Sequence, residues 1–228
     1  MHKLALFTLV SAAMLAQEVN PDSRLKNATE VISDMTGMPD KGIPQDTLDK
    51  AECVILVPGL KKAAFVIGGQ YGRGFVTCRK ASGGWGAPAA VKMEGGSVGL
   101  QLGGQSTDVI MSVMNKRGMD KLLSDKFTIG ADAAAAAGPV GRNARADTDA
   151  ALHAEILSWS RSRGAYAGVS LQGATLRPDK EENQKLYGRA LTNKEILEGK
   201  VDPPPAASGL VAALNKVSMR GGEQADRK

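Results

Sequence analysis

The sequence predicts an α+β domain: a curved, largely antiparallel, glycine-rich sheet flanked by N- and C-terminal helices. Three observations predict it. Between residues 53 and 113, short apolar runs follow one another with glycine pairs between them, the texture of an antiparallel meander. Clear helical spacing of apolar residues occurs towards the two ends of the chain. Strands do not alternate regularly with long helices, which disfavours a parallel doubly wound sheet. The 228 residues suit one domain with appendages, and only 4% are aromatic against 27 glycines. Small residues and close backbone contacts must therefore do much of the packing.

The chain opens with a basic stretch, Met1-His2-Lys3, and an apolar run over 4–15. That run is too short to span a bilayer and has the length of an export signal. Residues 1–16 read as a signal peptide cut after Ala16, with a cut after Ala13 as the other choice. No later segment is long and apolar enough to cross a membrane. The expected location is periplasmic or secreted, with peripheral membrane association.

Asn20-Pro21-Asp22 is a helix start, with Asn20 as cap, Pro21 at the first helical position and Asp22 at the positive end of the dipole. Leu25, Ala28, Ile32 and Met35 follow as one apolar stripe, which can pack on the sheet or lie in a lipid headgroup region. Packing on the protein is the preferred reading, because Asp22, Glu30 and Asp34 would oppose an anionic surface. Asp46 is expected to cap a short helix over 47–51. Strands are predicted over 53–57, 63–67, 74–79, 89–93 and 97–102, with turns at Pro58-Gly59, Gly68-Gly69, Gly83-Gly84, Gly95-Gly96 and Gly103-Gly104. Further strands are expected over 107–113, 127–129, 152–160 and 166–176. Residues 115–123 read as a helix. Another helix follows Pro178-Asp179 as far as Tyr187. Thr192-Asn193-Lys194-Glu195 has the form of a capping box. Residues 200–228 form an appendage: a stiff Pro203-Pro204-Pro205 break, a short helix through Leu210, Leu214 and Val217, and a loose tail.

Cys53 and Cys78 both fall on strand-like segments. They can pair in an oxidising compartment if those strands are adjacent and in register. The preferred reading is two buried free thiols. A structural zinc site is not expected, since His153 is the only histidine left after export.

Charge is unevenly distributed. Residues 17–52 carry eight acids against four bases, a net −4, whereas residues 53–93 carry six bases and no acid. Arg161, Arg163 and Arg177 lie in a second acid-free stretch, 156–178. A basic block of this kind suits an anionic partner, each Lys or Arg contributing about 1 kcal/mol near an anionic surface. The candidate lipid contacts are Lys61, Lys62, Arg73, Arg79 and Lys80, with Arg161 and Arg163 as a second set and Arg142 as a further member.

No catalytic residue, metal site or cofactor is expected. Gly68-Gly-Gln-Tyr-Gly-Arg-Gly74 lacks the Gly-Lys-Ser/Thr ending of a phosphate loop and lies between strands, so its glycines more plausibly permit a strand bend. His153 has acids and serines near it in sequence, but no nucleophile elbow accompanies it. Asp147 and Asp149 are too few for a calcium loop. Phe65, Tyr71, Phe75 and Trp85 interleave with the bases, as single-strand nucleic-acid binders require, but aromatics of a core sheet need no such ligand, and an exported chain seldom meets nucleic acid.

Seven blocks in order resemble the SYLF domain family, spanning roughly 22–199. They are Ala51-Glu-Cys-Val-Ile-Leu-Val-Pro58, Gly68-Gly-Gln-Tyr-Gly-Arg-Gly74, Gly84-Trp-Gly-Ala-Pro88, the Gly95 to Asp108 run, Gly138-Pro-Val-Gly-Arg142, Glu155 to Gly164, and Asn183-Gln-Lys-Leu-Tyr187. Trp159 stands where the family pattern has tyrosine. The resemblance implies a non-enzymatic lipid-binding module with an amphipathic N-terminal helix. Eukaryotic members are associated with phosphoinositides and some with actin. Neither partner carries over to an exported bacterial chain, for which anionic phospholipid headgroups are the expected ligand and an envelope protein partner the alternative. The zinc-binding FYVE and SH3 companions of some members are not expected here.

Overall fold

The computed structural model describes residues 20–36, 42–64, 68–97, 103–141, 153–162 and 165–218. The proposed signal peptide, Arg142, Arg163, the Asp147/Asp149 pair and the tail after Ser218 lie outside the described residues. Helix α1 spans Pro21–Thr36. Its start is as expected, with the Asp22 amide donating to Oδ1 of Asn20 at 3.2 Å. Leu25, Ala28, Val31 and Ile32 are all buried, so the stripe packs on the protein. Helix α2, Gln45–Lys50, follows Pro44 with no side-chain cap; Asp46 sits in its first turn instead of capping it.

Four long strands form the centre: β1 (Cys53–Ala64), β2 (Gly68–Cys78), β3 (Ala89–Ser97) and β4 (Gly103–Val113). They lie in the order β3-β2-β1-β4, all antiparallel. Several expected turns are therefore strand. Pro58-Gly59 does not end a strand but forms a bulge within β1, where the register shifts against both neighbours. Gly59 takes φ 62°, and its amide, turned out of the ladder, donates to Oδ1 of Asp108 at 2.9 Å. Gly68-Gly69, Gly95-Gly96 and Gly103-Gly104 likewise lie inside strands, where Gly69 faces Gly96 and Ala63 faces Gly69 and Gly104. A ladder needs only backbone, so facing glycines prolong it without side chains.

Helix α3 (Lys116–Leu122) is capped by Asn115, whose side chain accepts from the Gly118 amide at 2.8 Å. Strands β5 (Phe127–Thr128), β6 (Ala135–Ala137), β7 (Ile156–Ser162), β8 (Ala165–Gly168) and β9 (Thr175–Pro178) follow. The expected single strand over 166–176 is thus two, interrupted at 169–174. The sheet order is β5-β9-β3-β2-β1-β4-β7-β6, with β8 on β7. Because β5 joins one edge and β6 the other, the segment between them links the two edges of a curled sheet. Within it Ile129 bridges Ala133, and the Ile129 amide donates to Ala174.

Alternation along the strands gives each face its own core. One face (Val54, Leu56, Phe75, Ala90, Ile110, Trp159) packs under α1 and α6. The other (Ile55, Val57, Val76, Val91, Met93, Met111, Leu176) holds Phe127, Leu171 and Ile196. Helices α4 (Lys180–Tyr187), α5 (Asn193–Leu197) and α6 (Ser208–Val217) complete the chain. Asp179 caps α4, and Thr192 and Glu195 form the capping box of α5. The sequence assigns α6 to an appendage, yet Leu210, Leu214 and Val217 are buried in the same core as α1.

Cys53 and Cys78 are directly opposite on β1 and β2 and are joined as a disulfide, not left as free thiols. Adjacency and register, the two conditions for pairing, are both met by the β1–β2 hairpin.

Candidate functional site: basic strands beneath helix α1

The acid-free segment 53–93 folds into β1, β2 and β3, three neighbouring strands. Its cations meet different fates. Arg73 pairs through Nε with Asp179 at 2.6 Å and approaches Glu182 at 3.6 Å; Lys92 reaches Asp179 at 3.4 Å. Both carboxylates come from the start of α4 and are buried, Asp179 at 0% and Glu182 at 2% side-chain exposure. From the opposite side Arg24 of α1 pairs with Glu182. Three cations thus enclose two buried carboxylates, the condition under which buried charge is tolerated.

A second set of charges fastens the other end of α1. Arg161 of β7 pairs with Asp108 of β4 at 2.9 Å and with Asp34 of α1. Burial is the largest single influence on Arg161 and opposes its charge, but the hydrogen bonds and charge attraction of Asp108, Tyr166 and Asp34 together outweigh it, and the guanidinium is held above its ordinary value. The Tyr166 hydroxyl donates to the Val31 carbonyl at 3.0 Å, and burial pushes this phenol up to about 12.

Arg79 has a third role. Its guanidinium donates to the carbonyls of Ala51 (2.9 Å) and Leu48 (3.0 Å) and to Ser218. Lys61 and Lys80 are exposed and Lys62 is half-buried. Lys61 and Lys62 pair with Tyr71 and Gln70, whereas Lys80 lies past the Cys53–Cys78 pair. The two groups are separated by about 30 Å of ladder. Of the residues proposed from sequence, the structure places Lys61 and Arg73 on one face of the sheet and Lys62, the next residue along β1, on the other, and keeps Lys80, Arg79 and Arg161 apart from them. Sequence reasoning missed Arg24, Lys92, Asp179 and Glu182, whose association depends on strand register and on the docking of α1 and α4.

His153 is exposed and precedes β7 instead of lying on it. The nearby Glu155 is committed elsewhere, to Arg117 (3.2 Å), Lys121 (3.4 Å) and the Ala134 amide (3.0 Å). Among the described residues no group of three or more potential metal-ligating side chains gathers, and no helix is long and apolar enough to cross a membrane.

The architecture defines a class: an α+β domain in which an N-terminal helix is clamped by arginine–carboxylate pairs across a curled antiparallel sheet. A family model described as Ysc84, Las17-binding protein actin regulator, matches residues 94–217. LAS seventeen-binding protein 3 of Saccharomyces cerevisiae is 35% identical over 179 residues, covering 77% of this chain and 39% of the yeast protein. SH3 domain-containing YSC84-like protein 1 of Mus musculus is 30% identical over 207 residues, covering 88% of this chain and 61% of the mouse protein. The chain belongs to the Ysc84 family, the family of the SYLF domain. It spans about two fifths of the yeast relative and three fifths of the mouse one. These relatives are named as binding or domain-bearing proteins, not as enzymes.

Proposed function

We propose that this domain is a non-enzymatic module that binds anionic phospholipid surfaces through its basic strands. The supporting observation is that residues 53–93, with six bases and no acid, form three contiguous strands. The carboxylates of α4 answer Arg73 and Lys92, so the positive charge that these strands offer to a surface rests on Lys61, Lys62 and Lys80. Lys61 and Lys62 are the headgroup contacts of this region, and Lys80 acts separately at the far end. Arg142 and Arg163 are proposed as additional contacts, while Arg79 and Arg161 serve chiefly to hold the fold. The protein is exported: residues 1–16 form its signal peptide, and the Cys53–Cys78 disulfide suits an oxidising compartment.

Co-sedimentation with phosphatidylcholine vesicles carrying increasing phosphatidylglycerol tests the reading. Binding should rise with anionic content and weaken as salt shortens the Debye length. Equal binding to uncharged vesicles, or indifference to salt, would sink it. A second reading, a scaffold that contacts an envelope protein without lipid, draws on the relative named for binding LAS seventeen. It gains if purified protein ignores all vesicles yet crosslinks to a specific protein in its own cells. Mass spectrometry of the native mature chain tests export; an intact Met1 in the soluble pool contradicts it.

A further inference from the structure

A cleft of about 560 Å³ opens where the end of α3, the end of β9, the first turns of α4 and the start of α5 meet. None of its lining residues lies on β1, β2 or β3, so it is separate from the basic strands. Leu123, Pro178 and Leu191, all half-buried, give it an apolar base. Leu123 and Leu191 pack on the second core, so the cleft opens on apolar interior. Its rim carries charge of both signs. Asp125 comes from the α3–β5 loop, Lys180 and Glu181 from the first turn of α4, and Lys194 from α5, and all four are exposed. Among the described residues none forms an ion pair with Asp125, Lys180 or Glu181, and Lys194 approaches Glu198 only to 3.8 Å. The walls are preformed. Asn193, buried, accepts from Nδ2 of Asn183 at 2.6 Å and donates to the Ala90 carbonyl at 3.2 Å. The Ser124 hydroxyl donates to the Lys121 carbonyl at 2.7 Å, which holds the opposite wall. A preformed cleft costs a ligand little ordering.

We propose that this cleft binds a short peptide with apolar side chains and both termini free. Its volume is that of a small-molecule site, apolar within and polar at a few points. The carboxylate end meets Lys180 and Lys194, the ammonium end meets Asp125 and Glu181, and the side chains lie on Leu123, Pro178 and Leu191. Such a ligand answers both signs of unpaired charge and covers the apolar base. An anion would leave the acids unanswered, and a hydrocarbon would leave every charge so. A second cleft, of about 420 Å³ beside α1, offers Asp22, Glu30 and Lys26 but no large apolar side chain to hold the same ligand. The proposal is independent of the lipid-surface reading above.

The test is calorimetric titration of the purified protein with leucyl-leucine. Wild type should bind it saturably. N-acetyl-leucyl-leucine and leucyl-leucine amide, each lacking one terminal charge, should bind about fivefold more weakly, and glycyl-glycine should give no measurable binding. Ala190→Trp fills the cleft from an exposed lining position and should abolish binding. Lys180→Gln and Asp125→Asn, at exposed positions without ion pairs, should keep the wild-type Tm and each weaken binding about fivefold. They carry the test even if Ala190→Trp folds poorly. No binding of leucyl-leucine by wild type overturns the proposal. So does equal binding of glycyl-glycine, which would leave the apolar base without a role. An amide that binds as well as the free acid, with binding lost on acetylation, makes the ligand a cation and overturns the peptide assignment. Undiminished binding by both Lys180→Gln and Asp125→Asn places the peptide elsewhere and overturns it too. Vesicle binding by Ala190→Trp should match wild type, so failure of this cleft leaves the basic-surface reading standing.

Discussion

Arg79 lays its guanidinium over the indole of Trp85, 4.3 Å from the ring centre. From there it ties the end of β2 to α2, to the start of β1 and to Ser218 at the end of α6. Trp85 Nε1 donates to the Ser218 carbonyl at 3.0 Å, which also accepts from Arg79 at 3.3 Å. One planar cation thus serves several elements, a task lysine cannot perform, having no fork and no flat face. Arg79→Lys should lower stability by about 2 kcal/mol, leaving buried carbonyls unanswered. Urea unfolding followed by tryptophan fluorescence measures it. A loss below about 0.5 kcal/mol would show that the hub is not structural.

Two classes of strand glycine should respond in opposite ways. A Cβ on Gly74 would lie 2.0 Å from the Leu56 carbonyl oxygen and 2.8 Å from Cα of Val57, both backbone atoms next to the β1 bulge. Gly69 and Gly96 meet nothing within 4 Å. Gly74→Ala should destabilise by about 3 kcal/mol or prevent folding. Gly69→Ala and Gly96→Ala should stay within about 0.5 kcal/mol of wild type. Equal effects at all three positions would contradict the close approach of the β1 bulge to Gly74 of β2.

Legibility followed the range of the interactions. Helix starts were readable because a cap is local: Asn20, Asn115, Asp179 and Thr192 each act within three residues of themselves. The sheet class was readable from short apolar runs. Of the glycine-pair turns Gly83-Gly84 is one, with both residues at positive φ, but most were not readable, because a glycine pair looks the same whether it ends a strand or faces another glycine across a ladder, as Gly69 faces Gly96. The basic block was legible as composition, but its sorting was not. Whether Arg73 is free or buried against Asp179 depends on a residue 106 positions away.

The disulfide closes a loop with a sequence separation of 25. Restricting the unfolded chain over that length stabilises by about 3 kcal/mol in the chain-entropy treatment. Purified, unreduced protein should show no free thiol after denaturation. Reduction, or Cys53→Ala with Cys78→Ala, should cost about 3 kcal/mol. Two titratable thiols in freshly isolated native protein would overturn the pairing.

Tyr166 links the sheet edge to α1 and titrates late. Burial raises its folded pKa from 10.0 to about 12. The native state therefore keeps a proton that the unfolded state loses once pH exceeds about 10. The stabilisation is complete below that pH and is lost as pH climbs towards 12. Alkaline unfolding of wild type should steepen across this window, and Tyr166→Phe should flatten the dependence while removing the hydrogen bond to Val31. An identical alkaline profile for the variant would show that Tyr166 does not carry it.

Ile32 decides what the N-terminal helix is for. It is 0% exposed and packs in the core shared with Phe75, Trp85 and Leu210. Ion pairs hold the helix at both ends, Arg24 to Glu182 and Asp34 to Arg161. A helix so fastened can present its apolar stripe to a membrane only by breaking those pairs and exposing that core. Ile32→Asp places an unpaired charge in the core and should cost a few kcal/mol, about 3 or more. Vesicle binding by whatever fraction remains folded should be unchanged, since the basic strands are untouched. The decisive comparison is Tm against vesicle affinity in this one variant. An unchanged Tm with weakened binding would mean that the stripe works in the membrane, and the clamp seen here would then describe only the lipid-free state.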